Sequence, residues 1–163
     1  MFCIQRRFAA IRSDGGCLAE SSVRILVVDD FEPWRQRICS VLQARLELRV
    51  VEQAGEGLEA VQKAEKLQPD LIVLDIGLSK LNGLEAAKRI LQVAPGAKII
   101  FLTSNSDRDV VRAALSAGAQ GYVLKIDAGR ELLTAVERVL GGDDFASSGI
   151  KGWNSGETED TSF

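Results

Sequence analysis

The 163-residue chain contains no histidine, only three cysteines and only three prolines. Without an imidazole, none of its side chains can act as a histidine base, a histidine metal ligand or a phosphoryl-carrying histidine. Any histidine that takes part in its chemistry must therefore belong to a partner. The cysteines, Cys3, Cys17 and Cys39, are odd in number and form no CxxC pair, so we expect free thiols in a reducing compartment.

The chain also lacks a long apolar run and an excess of positive charge. No segment approaches the roughly 20 apolar residues that span a bilayer, and Arg6, Arg7 and Arg12 interrupt the N-terminal stretch. We therefore expect a cytoplasmic protein with no membrane partner. The formal net charge is −3, which disfavours nucleic-acid binding by this chain alone.

Strand-like and helix-like segments alternate along the middle of the chain. Short, β-branched apolar runs at residues 23–29, 71–75 and 98–103 are typical of parallel strands that are buried on both faces. Apolar residues recur between them at helical spacing, and Asn82 is a predicted helix N-cap. Five such units predict an α/β, flavodoxin-like (βα)5 fold, a doubly wound parallel sheet with the strand order 2-1-3-4-5.

The two ends of the chain show no such periodicity. Residues 1–22 include a Ser-Asp-Gly-Gly sequence, and residues 142–163 are rich in Gly, Ser, Thr and acids with only scattered apolar residues. The sequence therefore predicts one folded domain over residues 23–141, a flexible N-terminal extension over residues 1–22 and a flexible C-terminal tail over residues 142–163.

Three carboxylates fall where predicted strands end. Asp29 and Asp30 end the first strand, and Asp75 ends the third. In the predicted order these strands are neighbours at the point where the chain reverses direction, and ligands of such sheets bind there. For any one of these acids alone, an ordinary helix-capping or turn role is an equally good explanation.

Three acids at one edge repel one another, so a divalent cation would stabilise them. Mg2+ fits because it prefers hard oxygen ligands and commonly uses one or two carboxylates together with a phosphate. Asp30 and Asp75 would then be direct ligands and Asp29 a direct or water-mediated one. The backbone carbonyl of Gly77 would supply a further ligand.

A hydroxyl and an ammonium end the next two predicted strands. Thr103 closes the fourth strand and Lys125 the fifth, on the same rim as the acids. There the lysine would neutralise charge on phosphoryl oxygens, and the threonine would bond another oxygen. A carboxylate nucleophile, a metal and a cation are what formation of an aspartyl phosphate requires. Taken singly, Thr103 would be an ordinary strand-end residue and Lys125 a solvated charge.

In these residues the sequence resembles the response-regulator receiver domains of two-component systems. Among them, it is similar to the NarL/LuxR-like subfamily. The matching residues are Asp29-Asp30 after a strand, Asp75 with Asn82-Gly83 downstream, Thr103-Ser104, and Tyr122 three residues before Lys125. The resemblance implies that Asp75 is the phosphoacceptor, that Asp29 and Asp30 hold Mg2+, and that Thr103 and Lys125 bind the phosphoryl group. It also implies that Tyr122 is a switch residue whose rotamer follows Thr103. A half-buried edge-strand aromatic is the alternative for Tyr122.

The resemblance further implies a phosphoacceptor switch that catalyses only its own phosphorylation and dephosphorylation. Its phosphodonor would be a histidine kinase or a phosphotransfer protein. DNA binding is not carried over, because no helix-turn-helix segment follows in this sequence. We expect output through an unknown protein or through self-association, on the face made by the fourth helix, fifth strand and fifth helix.

Two departures from the receiver pattern concern prolines, and two other functions stay open. Ser79 and Ile126 stand where many relatives have proline, which affects loop rigidity and leaves the acids intact. A metal-dependent phosphohydrolase is one alternative, although the haloacid-dehalogenase pattern needs an acid where Gly77 stands. A flavodoxin-like interaction module without phosphorylation is the other, although the intact set of acids, Thr103 and Lys125 argues against it. A nucleotide-binding module of this fold is disfavoured because no glycine-rich phosphate loop follows the first strand.

Overall fold

The computed structural model describes residues 22–150 as a parallel sheet with helices on both faces. The strands are β1 (Val23–Val28), β2 (Leu48–Ala54), β3 (Leu71–Leu74), β4 (Lys98–Thr103), β5 (Gly121–Leu124) and β6 (Phe145–Ala146). The helices are α1 (Glu32–Gln43), α2 (Gly57–Leu67), α3 (Gly83–Val93), α4 (Arg108–Ser116) and α5 (Ala128–Leu140), and a short 3-10 turn (Lys125–Asp127) joins β5 to α5. The strand order is β2-β1-β3-β4-β5-β6, so the predicted order of the first five strands is confirmed.

Two apolar clusters cover the two faces of the sheet. Successive side chains of a strand point to opposite faces, so Ile25 and Leu26 of β1 belong to different clusters. One cluster packs the sheet against α2, α3 and α4, and the other packs it against α1 and α5. All residues of β3 are buried, which is why the central strands are continuous apolar runs in the sequence.

The N-terminus of α3 packs closely against the loop that follows β3. The Asn82 side chain accepts a 2.9 Å hydrogen bond from the Glu85 amide, which confirms the predicted N-cap. Gly83 lies against the backbone of Asp75 so closely that a Cβ at this position would overlap the Asp75 carbonyl oxygen. The Asn82-Gly83 pair therefore lets the N-terminus of α3 approach the backbone of the strand-end acid.

The end of the described chain corrects one expectation. We predicted a flexible tail from residue 142, but residues up to Ile150 pack on the free edge of β5. The Phe145 amide donates to the Gln120 carbonyl and the Ser147 amide donates to the Tyr122 carbonyl, each at 2.9 Å. The reason is that an open strand edge carries unpaired backbone groups that this segment satisfies. The expectations for residues 1–21 and 151–163 lie outside the described residues.

Within the described range, no helix has both the length and the apolar character that membrane crossing requires.

Candidate functional site

Four strand ends meet at one edge of the sheet and bring the predicted site residues together. Asp29 follows β1, Asp75 follows β3, Thr103 ends β4 and Lys125 follows β5. The side chains of Asp29, Asp75 and Thr103 are buried, with 3%, 7% and 4% of their residue surfaces exposed. An open depression above them is lined by Asp75, Gly77, Thr103, Lys125 and the loop of residues 104–107.

The three acids form one cluster. Asp29, Asp30 and Asp75 each offer a carboxylate oxygen, and these oxygens lie within 4.8 Å of one another. The Asp29 Oδ1 accepts a 2.9 Å hydrogen bond from the Phe31 amide, and the Asp75 Oδ1 accepts one of 3.2 Å from the Gly77 amide. Asp30 is exposed to solvent, so the cluster opens outward on its side.

Lys125 bridges the two buried acids. Its Nζ lies 2.7 Å from Asp29 Oδ2 and 3.2 Å from Asp75 Oδ2. One ammonium neutralises only one of three carboxylates, so the cluster keeps an uncompensated negative charge that a divalent cation would balance. The donor set is all oxygen and partly open to water, which suits Mg2+. The residues present therefore fit this ion.

The environment of Asp75 disfavours its charged form. Burial raises the pKa of the Asp75 carboxyl above its ordinary value, and the Asp29 charge adds to that rise. Lys125 and the Gly77 amide act in the opposite direction and lower the same pKa, without cancelling the rise. Additional positive charge near Asp75 would therefore stabilise its charged form.

Thr103 and Tyr122 both hydrogen-bond to Asn105, in the loop between β4 and α4. The Thr103 Oγ1 accepts a 3.3 Å hydrogen bond from the Asn105 amide, and the Tyr122 hydroxyl donates one of 2.6 Å to the Asn105 carbonyl. Tyr122 is fully buried, so the alternative of a half-buried edge aromatic is wrong: β6 covers the β5 edge. Burial, followed by the charges of Asp107 and Asp75, raises the pKa of Tyr122 to about 12.

Sequence reasoning missed two residues of α1 beside the site. An Arg35 guanidinium nitrogen donates a 2.7 Å hydrogen bond to the Asp29 carbonyl, and its Nε donates to Gln53 at 3.1 Å. The Trp34 ring lies with its centroid 5.7 Å from Lys125 Nζ. The available signal was their position in the first helical turn after the acids, where side chains point back toward the strand end.

An acidic cluster with a bridging lysine, at the switch point of a 2-1-3-4-5 sheet, defines a receiver-type domain. The family model for the response regulator receiver domain matches residues 25–137. The chain belongs to the response-regulator receiver family, and the two alternative functions are not favoured.

Curated relatives of the chain are bacterial regulators. It is 37% identical over 120 residues to the transcriptional regulatory protein LnrK of Bacillus subtilis (strain 168), covering 74% of this chain and 54% of LnrK. It is 34% identical over 130 residues to LiaR of the same organism, covering 80% of this chain and 62% of LiaR. The chain therefore spans little more than half the length of these relatives.

Solved structures of receiver domains share the fold. A two-component response regulator of the LuxR family from Aurantimonas sp. SI85-9A1 superposes with a TM-score of 0.76 at 32% identity, covering 80% of this chain and 93% of that one. The response regulator domain of Thermotoga maritima CheB superposes with a TM-score of 0.69 at 30% identity, covering 74% of this chain and 97% of that one. The flavodoxin-like fold prediction is confirmed.

Proposed function

We propose that this receiver takes a phosphoryl group from a partner's histidine onto Asp75 in a Mg2+-dependent reaction. The observation that carries the proposal is the Lys125 bridge between Asp29 and Asp75 beside the exposed carboxylate of Asp30. This arrangement combines a buried nucleophile, an unbalanced acidic cluster and a cation at one open rim. Those are the elements of aspartyl-phosphate formation.

The transfer needs a carboxylate oxygen of Asp75 and little other protein chemistry. A bond forms between that oxygen and phosphorus, while the bond from phosphorus to the donor's histidine nitrogen breaks and its electron pair returns to the nitrogen. Lys125 moves its ammonium from the Asp75 carboxylate to a phosphoryl oxygen, and the Thr103 hydroxyl donates to another. Both groups line the depression over Asp75.

The ion would be held by Asp29, Asp30, Asp75 and the Gly77 carbonyl. An ion bound there would neutralise charge on the carboxylates and on the phosphoryl oxygens, so that two negatively charged groups could approach.

The donor is a histidine kinase or a phosphotransfer protein, because the chain has no histidine of its own. The receiver acts only on its own Asp75, as a phosphoacceptor switch within a phosphorelay, and an odd number of cysteines supports a cytoplasmic location. Tyr122 would report the phosphoryl group, since its hydroxyl holds the loop that begins after Thr103. Output would pass to an unknown protein, or through self-association, on the face of α4, β5 and α5, where a partner would also meet β6.

The decisive experiment is an intact-mass measurement after incubation with acetyl phosphate and Mg2+. We expect one added phosphoryl group in the full chain, and none in Asp75→Ala or after metal chelation. The exposed acid Asp143 offers a matched control, because Asp143→Ala removes a carboxylate outside the site. Labelling that persists in Asp75→Ala would place the acceptor elsewhere.

Metal titration tests the roles of Asp30 and Lys125 separately. Asp30→Asn removes a charged oxygen ligand and should weaken Mg2+ binding. Lys125→Ala should slow labelling while leaving a metal site with all its acids. An Mg2+ affinity that Asp30→Asn leaves unchanged would refute the assignment of Asp30.

A further inference from the structure

Trp34 lies in the first turn of α1 beside the acidic cluster, and its indole ring meets two cations. Lys125 Nζ is 5.7 Å from the ring centroid, and the Arg37 guanidinium carbon is 5.3 Å from it. The indole Nε1 is buried and has no hydrogen-bond partner among residues 22–150, so no hydrogen bond fixes the side chain. Attraction between the ring face and a cation is the polar interaction that remains for it.

Lys125 carries a mobile charge whose position matters for the transfer. Its side chain is a flexible four-carbon stem, and in this structure two carboxylates hold its ammonium. When the ammonium leaves Asp75 for a phosphoryl oxygen, it gives up one of those partners. The ring face of Trp34 offers an attraction that does not depend on the carboxylates.

We propose that Trp34 is a positioning residue for the transfer of the phosphoryl group to Asp75, because its ring holds the Lys125 ammonium at the edge of the site. The inference rests on the proposed function of Asp75 and Lys125. The Trp34 Nε1 has no hydrogen-bond partner among residues 22–150, so the proposed effect of Trp34 on the transfer runs through Lys125. It limits the positions that the lysine side chain samples, and so places the charge where the phosphoryl oxygens arrive.

A purely structural role is less consistent with the packing. The buried side chains of α1 are Ile38, Cys39 and Leu42, and Trp34 belongs to neither of the two apolar clusters. Truncating it should therefore leave the core intact. Arg37 provides a matched control, because it contacts the same ring from an exposed position and makes no contact with the acidic cluster among the described residues.

The rate of labelling by acetyl phosphate at saturating Mg2+ tests the inference in the full chain. We expect Trp34→Leu to lower the rate constant about threefold to tenfold, and Trp34→Phe to lie between it and the wild type, since indole binds cations better than benzene. The labelling rate of Arg37→Ala should stay within about twofold of that of the wild type. The Mg2+ affinity of every variant should also stay within about twofold, because all acids are retained.

Fluorescence tests the contact between the Trp34 ring and the Lys125 ammonium on which the positioning role depends. The chain has two tryptophans, so Trp153→Phe leaves Trp34 as the only tryptophan, and excitation at the red edge of the indole band avoids emission from Tyr122. In this background, Lys125→Met removes the ammonium near the ring and should change the emission intensity of Trp34, whereas the surface substitution Lys66→Met should not.

The outcomes separate this inference from the proposed function. Unchanged labelling rates in both Trp34 variants, or an equal loss in Arg37→Ala, would overturn the positioning role while labelling of Asp75 still stands. A Trp34 emission intensity that is unchanged by Lys125→Met would also overturn the positioning role. If Trp34→Leu fails to fold, Trp34→Phe and the Lys125→Met emission decide the question. Labelling that survives Asp75→Ala would remove the proposed function and this inference together.

Discussion

The Ser147 hydroxyl oxygen accepts a 2.9 Å hydrogen bond from the Leu124 amide, which ties the end of the described chain to the strand that leads into Lys125. The Ser147 amide also donates to the Tyr122 carbonyl at 2.9 Å, and only 1% of the residue is exposed. One small residue thus satisfies backbone groups on both sides of Val123. It closes an edge that would otherwise be open to other chains.

Ser147→Ala should therefore destabilise the domain. The substitution leaves the Leu124 amide without its acceptor, and we expect a loss of roughly 1 kcal/mol in the free energy of unfolding. Urea melts measure the change. The exposed neighbour supplies the control: Ser148→Ala breaks a contact with Glu131 at the surface and should change stability by less than about 0.5 kcal/mol. Equal midpoints for both variants would contradict the role of Ser147.

The raised pKa of Asp75 predicts how stability depends on pH in the absence of metal. Because burial raises the pKa of this carboxyl in the folded state, the folded domain binds its proton more tightly than the unfolded chain does. The contribution of Asp75 to stability is therefore greatest below the ordinary Asp value of 3.8 and is lost as pH rises through the folded pKa.

Asp75→Asn removes this pH-dependent loss of stability, because asparagine does not titrate. With a chelator present, we expect the variant to exceed the wild type at pH 7 by about 0.5–2 kcal/mol, with the gap narrowing toward pH 4. Urea melts at the two pH values test this. Added Mg2+ should stabilise the wild type more than the variant. A gap that widens as pH falls would show that the acidic cluster does not destabilise the fold.

Ser79→Pro should stabilise the loop that follows Asp75. Ser79 is exposed, and its amide makes no hydrogen bond within the part of the chain that the structure describes. Proline there would restrict the unfolded chain and raise the free energy of unfolding by roughly 0.4–1 kcal/mol. Ser79→Ala separates this effect from loss of the hydroxyl. A lowered urea midpoint with an unchanged slope would mean that the loop geometry is incompatible with proline.

Lys80 follows in a left-handed conformation, with φ of 66°. Such a conformation is strained for residues with a Cβ, so Lys80→Gly should be more stable than Lys80→Ala by about 1 kcal/mol. Both variants lose the exposed 2.7 Å ion pair with Glu56, which makes alanine the matched control. Glu56→Gln measures that pair alone and should cost less than about 1 kcal/mol. Equal stability of the two Lys80 variants would contradict the strain.

The sequence by itself determined the layout of the first five strands and the acids at their ends. Parallel strands buried on both faces must be apolar throughout, so runs such as Leu71–Leu74 are visible without any partner. The position where such a run ends is also visible in the local sequence. Strand order then assigns the residues at those ends to one rim: Asp29, Asp75, Thr103 and Lys125. The Asn82 cap depends only on its own turn.

Only the tertiary structure decided the remaining contacts, because they join residues that are far apart in the chain. The two-residue strand β6 has no periodicity to detect and exists through its pairing with β5. The full burial of Tyr122 depends on that same strand, and its hydroxyl finds a partner in the Asn105 carbonyl. Trp34 is an ordinary helical aromatic until the packing of α1 beside α5 brings its ring to Lys125. Local patterns fix which residues end a strand, whereas long-range packing fixes which side chains face one another there.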